Sequence, residues 1–192
     1  MKPYYQDEWV TIYHGDCREI LPQLPKVDLV LTDPPYPDQH PEYGEADLSF
    51  LSEYSCRQLI FWSAKVDFPL DYTAIHIWDK QVGCASEYER IFERNGQRNY
   101  KLFSAYGHPS HGNETYYGHP SQKSMKLISR LINYASKPND LILDPFGGSG
   151  TTPYCAKKLN RRCIMIETVE KWCEIAANRC RQSVMVLSLL TR

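Results

Sequence analysis

Leu141-Ile142-Leu143-Asp144-Pro145-Phe146-Gly147-Gly148-Ser149-Gly150-Thr151-Thr152 is the segment on which the fold prediction depends most. A short apolar run typical of a buried strand leads into a glycine-rich turn, and the pattern of residues 152–159 predicts a helix. Glycines let the backbone come close to a ligand, and the first turn of a helix offers free N–H groups. The segment therefore predicts a ligand-binding turn between a strand and a helix.

The same turn excludes two common nucleotide-binding motifs. A phosphate loop of the Walker type needs Gly-Lys before Ser or Thr, whereas Gly150 is followed by Thr151. The dinucleotide pattern Gly-x-Gly-x-x-Gly is also absent. About twenty residues beyond Asp144, at the end of the next apolar run, Glu167 is placed to accept hydrogen bonds from a ribose diol. The alternative is a plain glycine turn followed by a surface acid.

Apolar runs alternate with amphipathic segments along the chain. Strands are predicted at Trp9–Tyr13, Val27–Leu31, Ala74–Trp78, Leu141–Leu143 and Cys163–Ile166. Helices are predicted at Ser121–Ala135, Thr152–Leu159 and Val169–Arg181. Because several strand runs are almost continuously apolar, they are typical of a parallel sheet buried on both faces. The alternation predicts an α/β fold, a doubly wound and mostly parallel sheet with helices on both faces, in a single domain over residues 1–192.

The composition is that of a globular protein. The 192 residues are 42% hydrophobic and 23% charged, which suffices for one domain with a sizeable core. No run approaches the ~20 apolar residues of a membrane helix, and the first residues lack the apolar segment of a secretory signal. The seven cysteines are scattered and include no Cys-x-x-Cys pair, which favours reduced thiols. We expect a cytoplasmic protein with no membrane partner.

The charges are unevenly distributed. Residues 1–100 hold 9 Lys and Arg against 17 Asp and Glu, and residues 101–192 hold 13 against 6. Such asymmetry fits a basic face that lies along a polyanion, and it fits a chance partition equally well. The basic cluster Lys157, Lys158, Arg161 and Arg162 is explained by the helix dipole or by solvation as well as by phosphate contact.

A second motif, Thr32-Asp33-Pro34-Pro35-Tyr36, follows the strand predicted at Val27–Leu31. Two consecutive prolines hold the backbone nearly rigid and leave carbonyl groups without competing N–H donors. Asp33 offers a carboxylate, Pro34 a carbonyl and Tyr36 an aromatic ring. These groups suit a planar amino-purine or amino-pyrimidine, with two acceptors for its amine and a ring for stacking. By itself the motif also fits an ordinary turn.

Residues 97–118 interrupt the alternation with three glycines and many polar and aromatic side chains. A loop of this length in a compact domain is usually functional or disordered. The set His108, His111, His119 and Glu114 is a weak candidate for a metal site, and we expect no metal there. The apolar end of the chain, Val184–Leu190, fits an edge strand, a docking segment or a dimer contact.

With both motifs in place, the chain resembles the S-adenosylmethionine-dependent amino-methyltransferases of DNA, which form N6-methyladenine or N4-methylcytosine. Asp33–Tyr36 matches the catalytic motif of that family, and Asp144–Thr152 matches its cofactor loop. The catalytic motif comes first, as in the permuted β group. His14–Cys17 resembles the segment that meets the adenine of the cofactor, and Gly118–Lys123 resembles the segment near its methionine moiety. The resemblance is colinear over about 180 residues and implies a Rossmann-like fold.

The resemblance implies roles for the residues that match. Asp33, Pro34, Pro35 and Tyr36 form the catalytic pocket for the target base. The residues implied in cofactor binding are Asp16, Cys17, Asp33, Lys123, Asp144, Phe146, Gly148, Gly150, Thr151 and Glu167. Ser124 stands where a second proline is usual, and we expect it to loosen the start of the following helix.

The implied reaction is site-specific methylation of an adenine N6 in double-stranded DNA, with S-adenosylmethionine as the cofactor. A base inside a duplex cannot reach such a pocket, so it has to be flipped out, and we expect Tyr36 to stack on it. Adenine is favoured because the motif begins with Asp33. In the family that this chain resembles, motifs that begin with serine are commoner among cytosine methyltransferases.

Two alternatives stay open. The first is N4 methylation of cytosine by the same site. The second is a subunit that binds cofactor and DNA but needs a partner, because residues 84–118 provide a short target-recognition insertion. A homodimer and a bacterial, phage or mobile-element origin are compatible with either.

Overall fold

A single sheet forms the centre of the computed structural model, which describes residues 1–38, 47–81 and 87–190. Its strands in these ranges are β1 (Tyr5–Gln6), β2 (Val10–His14), β3 (Leu29–Thr32), β4 (Arg57–Trp62), β5 (Ala74–Asp79), β6 (Tyr88–Arg94), β7 (Leu102–Ser104), β8 (Leu141–Asp144) and β9 (Arg162–Glu167). Their order across the sheet is β1-β2-β9-β8-β3-β4-β6-β5-β7.

The centre of the sheet is parallel and its margins are mixed. Strands β2, β9, β8, β3 and β4 run parallel to their neighbours in this central part. Strand β1 is antiparallel to β2, β6 is antiparallel to both β4 and β5, and β7 is parallel to β5. The prediction of a doubly wound, mostly parallel sheet is confirmed.

The described α-helices are α1 (Cys17–Ile20), α2 (Met125–Ala135), α3 (Thr151–Lys158) and α4 (Glu170–Leu190). Short 3-10 turns lie at Leu21–Gln23, Ser49–Glu53 and Pro109–Gly112. Helix α3 packs between α2 and α4, and α4 also covers β2 and β9. None of the helices in the described ranges has the length and apolar character needed to span a bilayer.

The hydrophobic core encloses the central strands. Leu29, Val30 and Leu31 of β3 are all fully buried, although successive side chains of a strand point to opposite faces. Both faces of the central sheet are therefore covered, as the nearly continuous apolar pattern predicts. A second cluster joins Ile12 and Met165 of the sheet to the small residues of α4.

The five predicted strands and three predicted helices are present. The largest shift is at α4, which continues to Leu190 instead of ending near Arg181. An edge strand at Val184–Leu190 is one of three interpretations of that segment, and the helical backbone shows that this one is wrong.

Four of the described strands, β1, β4, β6 and β7, escape prediction from the sequence, and the two longer ones, β4 and β6, carry charged residues. Strand β4 begins with Arg57, and β6 reads Tyr-Glu-Arg-Ile-Phe-Glu-Arg. Glu89 and Glu93 of β6 are nonetheless buried, because each is paired with a cation from another element, Lys80 and Arg57 respectively. Those partners lie outside β6, so the local pattern does not reveal an internal strand.

The range predicted as an insertion, 84–118, overlaps the sheet. Strands β6 and β7 lie inside it, and Cys84 falls outside the described residues. The loop predicted at 97–118 likewise contains β7 and the turn Pro109–Gly112. The part of this range that lies outside the sheet is thus shorter than the whole range.

Candidate active site

A cavity of about 770 Å³ lies at the carboxyl ends of the parallel strands β2, β9, β8 and β3. In open parallel sheets ligands bind at this edge, because helix N-termini and loop N–H groups converge there. The predicted residues that line it are Asp16, Cys17, Asp33, Pro34, Pro35, Tyr36, Lys123, Asp144, Phe146, Gly148, Thr151 and Glu167. Gly150 lies behind this lining. Motifs that are far apart in sequence therefore meet in one cavity.

The loop between β8 and α3 is shaped by two glycines in the left-handed region, Gly148 with φ +51° and Gly150 with φ +78°. A Cβ on Gly150 would lie 2.4 Å from Cβ and 2.8 Å from Cα of Ala176, so α4 packs directly on the loop backbone. A Cβ on Gly148 would lie 3.1 Å from Nε2 of His119, on the cavity side. Gly150 therefore supports the loop from behind, and Gly148 keeps its front open.

Arg179 of α4 supports the same loop, although the sequence alone gives it no role. The side chain is 1% exposed, and Nη1 donates to the carbonyl of Ser149 at 2.7 Å and to Oγ1 of Thr151 at 3.2 Å. Its guanidinium lies 4.2 Å from the ring centre of Tyr117. Burial lowers the pKa of Arg179. Helix α4 thus fixes both the glycine loop and the segment that leads to Lys123.

Glu167, at the end of β9, ties the glycine loop to the start of α4. One carboxylate oxygen accepts from the N–H of Gly148 at 2.9 Å, and the other accepts from the N–H of Val169 at 2.8 Å. The oxygen that contacts Val169 also accepts from the hydroxyl of Thr168 at 3.4 Å, whereas the oxygen that contacts Gly148 keeps a further lone pair. The carboxylate is therefore held at the edge of the cavity with acceptor capacity left for a ligand.

Asp16 caps the short helix α1 at the other side of the cavity. Its carboxylate accepts from the backbone N–H of Arg18 at 2.9 Å and from the guanidinium of the same residue. These hydrogen bonds hold the pKa of Asp16 at about 2. Burial raises the pKa of the neighbouring Cys17 thiol to about 11, so this residue lines the cavity as a neutral thiol.

Asp144 lies at the end of β8, in the floor of the cavity. Its side chain is buried, and Oδ1 accepts from the hydroxyl of Thr32 at 3.0 Å and from the N–H of Phe146 at 3.3 Å. Burial raises the pKa of Asp144 to about 6, against the lowering effect of its hydrogen bonds. This carboxyl group joins the ends of two neighbouring strands.

The predicted catalytic carboxylate belongs to a group of five residues, here called the Asp33 cluster: Asp33, Tyr36, Lys80, Glu89 and Lys123. Lys123 Nζ lies 2.5 Å from Asp33 Oδ2 and 3.4 Å from Glu89 Oε2. The Tyr36 hydroxyl lies 2.5 Å from Asp33 Oδ1 and 3.1 Å from Glu89 Oε2. Lys80 Nζ lies 2.7 Å from Glu89 Oε1. Two acids and two bases thus share one side of the cavity.

The cluster shifts the acids in opposite directions. Burial raises the pKa of Asp33, opposed by Lys123 and reinforced by Glu89. Burial also acts to raise the pKa of Glu89, but Lys123 and Lys80 outweigh it, so the pKa of Glu89 is lowered. Burial opposes the charge of Lys123, yet Asp33 and Glu89 outweigh burial and raise the pKa of Lys123. The ionised cluster is electrically balanced.

Tyr36 is a buried residue at the side of the cavity. The residue is 3% exposed, its ring packs against Trp62 at 5.7 Å, and its hydroxyl points to Asp33 and Glu89. The ring therefore lines the cavity with little of its surface exposed.

Lys80 and Glu89 are cavity residues that sequence reasoning misses. The signal for Glu89 is its position: it shares a face of β6 with buried Ile91, since residues two apart in a strand point the same way. An acid on a core-facing position needs a buried partner. Once 88–94 is known to be a strand, Glu89 becomes a candidate.

The expectation that Ser124 loosens the start of α2 is wrong. Its hydroxyl caps the helix by accepting from the N–H of Leu127 at 3.4 Å. Glu114 adds to the cap by accepting from the N–H groups of Met125 at 2.6 Å and Lys126 at 2.9 Å. A serine satisfies an N–H group at the helix start, which a proline side chain cannot do.

Glu114, one of the residues considered for a metal site, is thus engaged in capping the helix. The described ranges contain no group of side chains that could hold a metal ion.

The fold and cavity define a class of protein: a doubly wound α/β protein whose ligand cavity adjoins a glycine loop at the carboxyl edge of the sheet. Residues 58–178, more than half of the chain, match the family model of the N6 and N4 DNA methylases. The chain therefore belongs to this family of S-adenosylmethionine-dependent DNA methyltransferases.

Curated relatives match in part. The type II methyltransferase M.HinfI of Haemophilus influenzae is 45% identical over 62 residues, which cover 32% of this chain and 17% of that protein. The type II methyltransferase M.BamHI of Bacillus amyloliquefaciens is 24% identical over 251 aligned positions, which cover 93% of this chain and 59% of that protein. The chain thus spans less than two thirds of the length of either relative.

Solved structures share the fold over most of the chain. The M1.HpyAVI complex with S-adenosylmethionine has a TM-score of 0.63 at 25% identity, covering 88% of this chain and 99% of that one. The cytosine-N4-specific PvuII DNA methyltransferase has a TM-score of 0.72 at 17% identity, covering 93% of this chain and 88% of that one. The Rossmann-like methyltransferase fold predicted from the sequence is confirmed.

Proposed function

We propose that this protein transfers a methyl group from S-adenosylmethionine to the N6 amine of an adenine in DNA. One observation carries the proposal: the Asp33 carboxylate, on the turn after β3, opens into the same cavity as the glycine loop after the adjacent strand β8. A donor group held by the loop and an acceptor amine held by Asp33 would therefore be neighbours. Holding two reactants side by side in this way lowers the entropic cost of the transfer.

The cavity residues fit the cofactor. Gly148, where a Cβ would approach His119, leaves room for a ligand against the loop backbone. Glu167 keeps a lone pair for a ribose diol, and Asp16 with Cys17 offers a polar and an apolar wall for an adenine ring. Bound S-adenosylmethionine supplies an electrophilic methyl group. Its binding, orientation and shielding from water are the tasks of these residues.

The amine of the target base is a poor nucleophile, because its lone pair is delocalised into the aromatic ring. Asp33 and the carbonyl of Pro34 are assigned as acceptors for the two N–H groups. Hydrogen bonds to these acceptors draw the nitrogen toward tetrahedral geometry and localise its lone pair. Pro35 has no N–H group, so the Pro34 carbonyl has no competing local donor on that side.

DNA is the proposed partner, and the target base has to leave the helix stack to enter the cavity. Stacking on Tyr36 stays part of the proposal and requires the ring to be uncovered on the cavity side. Adenine is preferred over cytosine because the motif begins with Asp33.

The reduced cysteines agree with the cytoplasm of a bacterium, or with a phage or mobile element. A homodimer is compatible with this assignment.

A partner-dependent subunit is the second candidate. It is favoured by the overlap of 84–118 with the sheet, which leaves little chain for reading a DNA sequence. The intact Asp33 and glycine loop favour the enzyme instead.

The deciding experiment is nucleoside mass spectrometry on unmethylated DNA incubated with the purified protein and S-adenosylmethionine. We expect N6-methyladenine from the wild type and a loss of about 10²-fold or more with Asp33→Ala, while cofactor binding measured by calorimetry is retained. Asp67→Asn, an exposed acid outside the cavity, is the matched control. Formation of N4-methylcytosine instead would support the same active site but identify cytosine as the target base. Cofactor binding without any methylated nucleoside would favour the partner-dependent subunit.

A further inference from the structure

Glu89 is a buried acid in the cavity wall for which the reaction as proposed has no use. It lies on β6, its side chain is 7% exposed, and both carboxylate oxygens are engaged. Lys80 lies against Oε1, and the Tyr36 hydroxyl and Lys123 both lie near Oε2. Burying a carboxylate costs free energy, which its polar partners have to offset. The three partners of Glu89 therefore indicate which groups it positions.

Two of those partners are shared with Asp33. The Tyr36 hydroxyl has one hydrogen, and it lies within hydrogen-bond distance of both Asp33 at 2.5 Å and Glu89 at 3.1 Å. The Lys123 ammonium bridges the same two acids at 2.5 Å and 3.4 Å. Each donor can therefore turn from one carboxylate to the other with little movement.

This sharing matters because Asp33 has to accept a hydrogen bond from the substrate amine. With Tyr36 on one oxygen and Lys123 on the other, each oxygen of Asp33 already receives one strong donor. Strong donors draw electron density from a carboxylate and weaken it as an acceptor. A second acid that takes over these donors restores the acceptor strength of Asp33.

We propose that Glu89 is a positioning residue for Asp33: it provides the alternative acceptor for Tyr36 and Lys123, and Lys80 holds it in place. The inference rests on the proposed function, since it assumes that Asp33 receives the amine. Glu89 itself does not touch the substrate in this assignment.

The electrostatics support the same role. The charged and titratable groups around this pair of acids are Lys80 after β5, Lys123 before α2, Tyr36 after β3 and Asp144 at the end of β8. The charge of Glu89 raises the pKa of Asp33, which makes Asp33 the better acceptor. If that charge is removed, Asp33 is the only acid of the pair that attracts Lys123.

The test is Glu89→Gln, which keeps the size of the side chain and removes its charge. We expect kcat for DNA methylation to fall by about 10- to 100-fold while the dissociation constant of the cofactor stays within about twofold. Glu87→Gln, an exposed neighbour near the start of β6, is the matched control and should resemble the wild type. Circular dichroism and thermal unfolding check that the variant is folded.

Two further measurements separate positioning from mere structural support. Carbon-13 NMR of the carboxyl groups, assigned with Asp33→Asn, should show Asp33 titrating at lower pH in Glu89→Gln than in the wild type. Lys80→Gln removes a cation from Glu89 and raises its pKa, so the acid limb of the kcat profile should move to higher pH. This second variant carries the test if Glu89→Gln does not fold.

The outcomes are distinguishable. A wild type that makes no methylated nucleoside contradicts the proposed function. An active wild type with Glu89→Gln at more than a third of its kcat, or with an unchanged Asp33 titration, overturns the role of Glu89 alone.

Discussion

Asp144 is a single residue whose environment sets a pH dependence. Its carboxyl group is buried at the end of β8, and burial raises its pKa to about 6. In the unfolded chain an aspartate titrates at about 3.9, so the folded protein binds this proton more tightly. The contribution of Asp144 to stability is therefore largest at low pH and declines as the pH rises from about 4 through 6.

We predict that Asp144→Asn removes this dependence. The free energy of unfolding of the variant, relative to the wild type, should rise by about 2 kcal/mol between pH 4 and pH 7, because the wild type alone has to ionise a buried acid. Urea denaturation at a series of pH values measures this difference. Asp67→Asn, an exposed acid, should give a flat difference. A flat difference for Asp144→Asn as well would refute the raised pKa.

At the scale of elements, the glycine loop depends on its packing against α4. Gly150 combines a positive φ with a Cβ position that is blocked by the backbone and side chain of Ala176. Gly118 also has a positive φ, +86°, but a Cβ there would meet nothing within 4 Å. Alanine substitutions at the two residues can therefore be compared: both introduce backbone strain, but only the one at Gly150 also introduces a steric conflict.

Gly150→Ala should lower the free energy of unfolding by roughly 3 kcal/mol or more and weaken binding of S-adenosylmethionine, because α4 and the loop are forced apart. Gly118→Ala should cost about 1 to 2 kcal/mol, the strain of the left-handed region alone. Thermal unfolding and calorimetric titration of both variants give the comparison. Equal losses in the two variants would mean that the packing on Ala176 is unimportant.

The elements also show what local patterns can predict. The strands β3, β8 and β9 are predictable because continuous apolar runs need no partner to be recognised as buried. Strand β6 escapes prediction because its buried acids depend on Lys80 and Arg57, which are placed by other strands. The prediction for the start of α2 is wrong for the same reason, since Glu114 caps it from a preceding loop.

At the scale of the whole molecule, the basic cluster around 157–162 lies away from the cavity. Helix α3 begins with Thr151 at the carboxyl edge of the sheet and ends with Lys158 toward the opposite edge, where β9 starts. Lys157 is buried against Asp7 and the carbonyl of Cys180. Arg161 is buried and donates to the carbonyl groups of two loop residues. Lys157 and Arg161 therefore stabilise the fold at the edge of the sheet away from the cavity.

The double variant Lys158→Gln and Arg162→Gln should leave DNA affinity and its salt dependence unchanged, since both side chains lie far from the proposed target-base pocket. Fluorescence anisotropy with duplex DNA over a range of salt concentrations tests this. If either side chain neutralised a phosphate, its removal would reduce the slope of log affinity against log salt by about 0.9. A slope reduced by that amount or more would place this edge on the DNA.

Short contiguous stretches of sequence suffice for the class of fold, the glycine loop, the Asp33 motif and the resemblance to the methylase family. The chemistry of these stretches does not depend on distant neighbours, so it can be recognised without coordinates. The three-dimensional structure alone shows the inward-facing hydroxyl of Tyr36, the association of Glu89 and Lys80 with Asp33, and the support of the glycine loop by Arg179. A buried charge or hydroxyl is defined by the partner that satisfies it, and here each partner comes from another element of the fold.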